Sequence, residues 1–235
     1  MTAERRGILR PLAALLFPPE PESGNAPHGT LPPLLVALTF VSGVVDAVSF
    51  LSLDHVFVAN MTGNVVLLGF ALAGDGELSV VASLLALFGF LSGAFTAGRL
   101  RLGREPARMF APLVAAQAVL VATALALTAS NAGRLPAVVL LALGMGLQNS
   151  VVFRLAVPDL TTGVVTRALT GLAASAWDHA AVRRLVSVMV LFCGALTGGL
   201  LTLHHGSAWA LALTVVLLVW TAVAGALNAA VTRRS

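Results

Sequence analysis

The chain has 235 residues, of which 58% are hydrophobic and only 10% charged, with a formal net charge of +4. A soluble domain carries about 25% charged residues, so the composition points to a membrane protein. It also sets aside nucleic-acid binding, because the basic residues are all arginines in short clusters between apolar runs, with no stripe of interleaved aromatics.

Residues 1–33 read as a cytoplasmic tail. Arg5, Arg6 and Arg10 precede a short apolar patch, and a Pro- and Glu-rich linker follows it. The patch resembles a signal-peptide core, but Pro18-Pro19-Glu20 is a poor cleavage site, so an uncleaved tail is expected.

Eight apolar runs follow: Leu34–Leu53, Val56–Ala73, Leu78–Ala97, Phe110–Ala129, Leu135–Leu155, Leu160–Ala176, Leu185–Leu203 and Ala208–Ala230. A helix needs roughly 20 apolar residues to cross a bilayer, and six of the runs qualify. The other two are interrupted, Val56–Ala73 by Asn60-Met61-Thr62-Gly63-Asn64 and Leu160–Ala176 by Arg167.

The arginines choose between two ways of counting. With eight crossings and the tail inside, the Arg99–Arg108 loop, the most basic of all, lies outside, against the positive-inside rule. If the two interrupted runs dip in and return, that loop, Arg183-Arg184 and both termini face the cytoplasm, and Arg134 lies outside with Asp54, Asp75 and Glu77. The loops are long enough. Eight residues from Asp54 to Met61 and six from Ala156 to Thr161, at about 3.3 Å each, reach a midplane roughly 15 Å deep. Thr62 and either Thr161 or Thr162 are then the expected N-caps of two half-helices.

Three echoes suggest an internal duplication. Gly43-x-x-Asp46-x-x-x-Phe50 recurs as Gly146-x-x-Asn149-x-x-x-Phe153, Thr62-Gly63-x-Val65 as Thr162-Gly163-x-Val165, and Gly93–Gly98 as Gly194–Gly199. The expected fold is therefore all-α: six crossing helices and two re-entrant or discontinuous half-helices, arranged as inverted repeats over residues 34–132 and 133–235. An odd number of crossings per repeat inverts the second relative to the first, which is a transporter and channel signature.

The residues Val45-Asp46-Ala47-x-Ser49-Phe50 and Val56-Phe57-Val58-Ala59-Asn60-Met61-Thr62-Gly63-Asn64 resemble the signature of the YoaK-like family of small bacterial multi-pass membrane proteins. The resemblance covers essentially everything after the tail. It implies a protein of the bacterial plasma (inner) membrane and no specific activity.

An ionisable group at membrane depth costs roughly 2.5–3.5 kcal/mol on insertion scales, so Asp46 is expected to face a partner, a cavity or a pathway. Two opposed half-helix starts at the midplane would focus unsatisfied N–H groups on one point, suited to an anion or a solute carboxylate. Arg167 would add a full charge there. The expected solute or ion site comprises Asp46, Asn60, Thr62, Gly63, Asn64, Gln148, Asn149, Thr161, Thr162, Gly163 and Arg167. Asp46 would couple a proton or cation, with Gln148 and Asn149 as its uncharged counterparts in the second repeat. The plainer alternatives are an Asp46–Arg167 ion pair, and Asn and Thr side chains that only satisfy broken backbone.

The ladders Gly89-x-x-x-Gly93-x-x-x-Ala97 and Gly194-x-x-x-Gly198 read as helix-packing faces, Cys193 as an inert packing residue, and Trp209 as an interfacial anchor. His204-His205 has no Cys, Asp or Glu nearby in sequence, so no metal or other cofactor is expected. Hydrolase, nucleotide and dinucleotide signatures are absent, and the expectation is a non-enzyme. The functional expectation is a transporter or channel for a small polar or anionic solute. The alternative is a membrane scaffold or accessory protein. The bilayer is the expected partner, nucleic acid is not, and homo-oligomerisation is left open.

Overall fold

A computed structural model describes residues 31–100, 106–130, 132–155, 165–174 and 179–232. These form eight α-helices: α1 (Leu31–Ser52), α2 (Met61–Leu72), α3 (Val80–Arg99), α4 (Pro106–Ala129), α5 (Arg134–Leu155), α6 (Val165–Ala174), α7 (His179–His205) and α8 (Ser207–Thr232). Six of them, α1, α3, α4, α5, α7 and α8, are long and apolar enough to cross a membrane. At 1.5 Å per residue the 12 residues of α2 span about 18 Å, roughly half a bilayer core, and α6 is described over 10 residues. The all-α architecture with six long apolar helices is thus the observed one, with no strand among the described residues.

Local chemistry sets several boundaries. Pro32 and Pro33 sit in the first turn of α1, where a missing N–H leaves no hydrogen bond unmade. Ser79 caps α3 by accepting the Ala82 amide at 3.1 Å. At the end of α1, Asp54 and His55 adopt left-handed backbone conformations, with φ of 59° and 54°, and turn the chain back on itself.

The packing is built on two close crossings. Where α1 meets α7, a Cβ on Gly43 would strike Leu191 O, and one on Gly194 would strike Phe40 O. Where α3 meets α5, Cβ atoms on Gly93 and Gly146 would strike Leu143 O and Phe90 O. Both crossings bring backbone against backbone, as small residues permit in membrane helices, and the predicted glycine ladders serve as packing faces. Further contacts join α1 to α8, α4 to α5, α4 to α8, α2 to α3, α6 to α7, α7 to α8 and α1 to α5. Exchanging α1–α4 with α5–α8 in order turns each helix–helix contact into itself or another of the set, α7 with α8 excepted.

Contacts also fix directions. Phe40 lies beside Gly194 and Val44 beside Gly198, so α1 and α7 run parallel; Val139 beside Gly89 and Leu143 beside Gly93 make α3 and α5 parallel. By contrast α1 and α5 are antiparallel. Asp54, just past the end of α1, lies 3.5 Å from Arg134, the first residue of α5. Hence α1 and α3 are antiparallel, and the segment containing α2 leaves and rejoins the same end of the bundle. By the same logic α5 ends and α7 begins at the other end, where the Arg154 guanidinium donates to Gly98 O at the end of α3.

A buried amide chain ties the centre. Gln117 Nε2 donates to Gln148 Oε1 at 2.8 Å, and Gln148 Nε2 donates to Ser42 Oγ at 3.0 Å and Leu38 O at 3.3 Å, joining α4, α5 and α1. Cys193, expected in packing, lies instead on an exposed face of α7. Trp209 is exposed near the start of α8, as an interfacial anchor would be.

Candidate functional site

The site begins where α1 ends. After the left-handed Asp54-His55 turn, Phe57 stacks on Phe50 with ring centroids 5.0 Å apart, and His55 meets Phe50 edge-on at 5.6 Å. The returning segment descends beside α1 until Val58 N and Ala59 N donate to Asp46 Oδ1 at 2.9 and 2.7 Å. Asp46 lies six residues before Ser52, about 9 Å along the helix, so α2 starts well inside the bundle.

Irregular backbone at this depth must be satisfied by protein. Asp46 takes two of its amides, and Asn64 serves Phe57 on both sides. Its Oδ1 accepts Phe57 N at 2.8 Å and its Nδ2 donates to Phe57 O, with Asn64 fully buried. The N-cap of α2 is Asn60, whose Oδ1 accepts Gly63 N at 3.3 Å; Thr62, the expected cap, stands inside the first turn. Gly63 allows the close approach, since a Cβ there would press on the Phe57 ring.

A cavity of about 740 Å³ opens beside this turn. Asp46, Asn60, Thr62 and Gly63 line one side, and Val165 and Thr166, the first two residues of α6, line the other. Leu191 and Ala195 of α7 close it near the α1 crossing. The start of α2 and the first described residues of α6 therefore border one chamber, which carries the partly buried carboxylate of Asp46.

Not every expected residue joins it. Asn64 lies behind the wall as a backbone clamp. Gln148 belongs to the buried Gln117–Ser42 chain, and Asn149 donates to Met145 O of its own helix at 2.9 Å. Thr161, Thr162 and Gly163 lie outside the described residues. Arg167 is exposed on α6 and is not among the cavity-lining residues. The alternative reading of Asp46, an ion pair with Arg167, is not formed among the described residues: loop amides, not a guanidinium, compensate the carboxylate. Sequence reasoning missed the Val58 and Ala59 amides and Thr166. The one available signal was the spacing of Asp46 and Asn60 within a single stretch too short to place them far apart. No group of three or more His, Cys, Asp or Glu suited to a metal occurs among the described residues.

With this geometry in place, comparison with known proteins adds the family. Residues 34–224 match the family described as "Protein of unknown function (DUF1275)", and the chain belongs to it. It is similar to the UPF0700 transmembrane protein YoaK of Bacillus subtilis (strain 168), with 34% identity over 145 residues, covering 59% of this chain and 64% of that protein. The matched region thus falls just short of two thirds of that relative's length. No solved structure matches. The chain is a multi-pass membrane protein of the YoaK-like family.

Proposed function

From membership of this transmembrane family, we propose that the chain is a small-solute transporter or channel of the bacterial plasma membrane, with its solute in the chamber between the starts of α2 and α6. The observation that carries this is the shared chamber itself: the start of α2 and the first described residues of α6 border one cavity that holds a carboxylate. Ligand sites are typically clefts of about 300–1,000 Å³ with a few convergent polar groups. A scaffold would need the carboxylate only to hold the loop amides, whereas here it also borders an open cavity.

The proposed architecture is a pair of inverted repeats, residues 34–132 and 133–235. Three observations support it. The packing pattern maps onto itself when the halves are exchanged. The two glycine crossings use echoed residues, Gly43 with Gly194 and Gly146 with Gly93. The directions of α1, α3, α5 and α7 let each short helix return to its own end of the bundle. With the arginine asymmetry, both termini are cytoplasmic, α2 enters from outside and α6 from inside. Asp46 faces the chamber and is the group through which a proton or cation would couple to the solute.

The test is reconstitution of the full chain in liposomes, incubation with a mixture of small metabolites, and mass spectrometry of the retained contents. The proposal expects at least one solute enriched several-fold over empty liposomes and lost in Asp46→Asn. Contents equal to those of empty liposomes would contradict it and favour the scaffold.

A further inference from the structure

We infer that the chamber recognises a positively charged nitrogen, a protonated amine on a small and largely apolar body, with the Asp46 carboxylate as its counter-ion. The inference rests on the solute-site reading above and names the class of solute.

The first argument is charge. Among the described residues lining the chamber, Asp46 is the one charged side chain. Arg167, which the sequence suggested would draw in an anion, is absent from that lining although its neighbours Val165 and Thr166 are part of it. An anionic solute would meet the carboxylate with no described cation to offset the repulsion, whereas an ammonium gains an ion pair in a setting of low dielectric.

The second is geometry. A carboxylate offers about four acceptor sites; the Val58 and Ala59 amides occupy two on Oδ1, and the Asn60 amide also reaches the carboxylate. They fix the orientation of the group while leaving acceptor capacity on the side that borders the chamber. A counter-ion held by its own backbone needs no rearrangement when a solute arrives, which is the preorganisation that favours binding.

The third is size and lining. A chamber of about 740 Å³ is far larger than an inorganic ion, and Phe57, Val66, Leu67 and Leu191 make most of its wall apolar. A hard divalent cation takes six or more oxygens, and among the described residues no acidic cluster provides them. One anionic group in an apolar chamber matches a monovalent organic cation.

The test compares three probes that share a ring: cyclohexylammonium, cyclohexanol and cyclohexanecarboxylate. Binding is measured by titration calorimetry on the full chain in nanodiscs. Cyclohexylammonium should bind saturably and at least tenfold tighter than either of the others. Asp46→Asn should abolish that preference. Because this change could also loosen the loop, Thr166→Phe provides a second variant, filling the chamber from α6 without touching the Asp46 amides; it should weaken ammonium binding at least tenfold. Equal binding of the three probes, or preference for the carboxylate, would overturn the amine assignment and leave the chamber as a solute site. Failure of all three to bind, or ammonium binding undiminished in Thr166→Phe, would overturn both.

Discussion

The amide of Ala59 donates to Asp46 Oδ1 at 2.7 Å, across a turn that brings residues thirteen apart in the chain side by side. This bond makes the carboxylate do two things at once. It pins the returning loop to α1, which sets where α2 begins, and it leaves a charge on the wall of the chamber.

The pinning role predicts a graded stability series. Hydrogen bonds to a charged acceptor contribute about 1.5–3 kcal/mol, and an unsatisfied buried donor costs a similar amount. Asp46→Ala should therefore destabilise the protein by about 2–4 kcal/mol. Asp46→Asn, which keeps an acceptor for the amides, should lose about half of that. Thermal unfolding in detergent measures the difference, and equal effects would show that the amides do not depend on the side chain.

Asp46 and Arg167 should behave independently. Sequence alone suggested a buried pair, for which removing either partner would be worse than removing both. With the carboxylate bound to loop amides and Arg167 exposed, the stability effects of Asp46→Asn and Arg167→Gln should add to within about 0.5 kcal/mol. A double-mutant cycle reads this directly, and a coupling well above that value would restore the pair.

The glycines divide into two groups. Gly93→Ala and Gly146→Ala place a methyl against a backbone carbonyl and should cost at least 1–3 kcal/mol, the usual range for overpacking. Gly69 and Gly98 have nothing within 4 Å of the added Cβ. Gly69→Ala should raise helix stability by about 0.5–1 kcal/mol. Melting temperatures of Gly93→Ala and Gly146→Ala should fall below that of the unsubstituted protein, and that of Gly69→Ala should not.

The topology is open to labelling. In a Cys193→Ala background, a cysteine replacing Asp75 should react with an impermeant thiol reagent from outside intact cells, and one replacing His179 should not. Labelling of the second and not the first would reverse the orientation. Protection of both would return α2 to a full crossing.

Much of the fold was legible because membrane crossing is a matter of apolar length. The six long runs became six long helices, and the two interrupted runs became α2 and α6. The glycine ladders of α3 and α7 were legible as packing faces, though not that Gly146 and Gly43 would meet them. Helix ends were less so: α7 extends from His179, beyond the apolar run starting at Leu185, because an apolar run reports burial in lipid rather than where a helix stops. The site was legible in part. Asp46 beside Asn60, Thr62 and Gly63 was expected, but the partners of Asp46 are backbone amides, which have no signature in side-chain chemistry. Arg167 lies on α6 as expected, yet each helical residue turns about 100°, and the face that meets the chamber is that of Val165 and Thr166.

The central claim is that α2 and α6 begin on one chamber, and cross-linking tests it without knowledge of the solute. Cysteines replacing Thr62 and Thr166 in a Cys193→Ala background are treated, in native membranes, with a bifunctional thiol reagent long enough to span the cavity. The account predicts an intramolecular cross-link between them, and none when the partner cysteine is moved to Leu72 at the far end of α2. Efficient alkylation of each cysteine with no cross-link between positions 62 and 166 would contradict it.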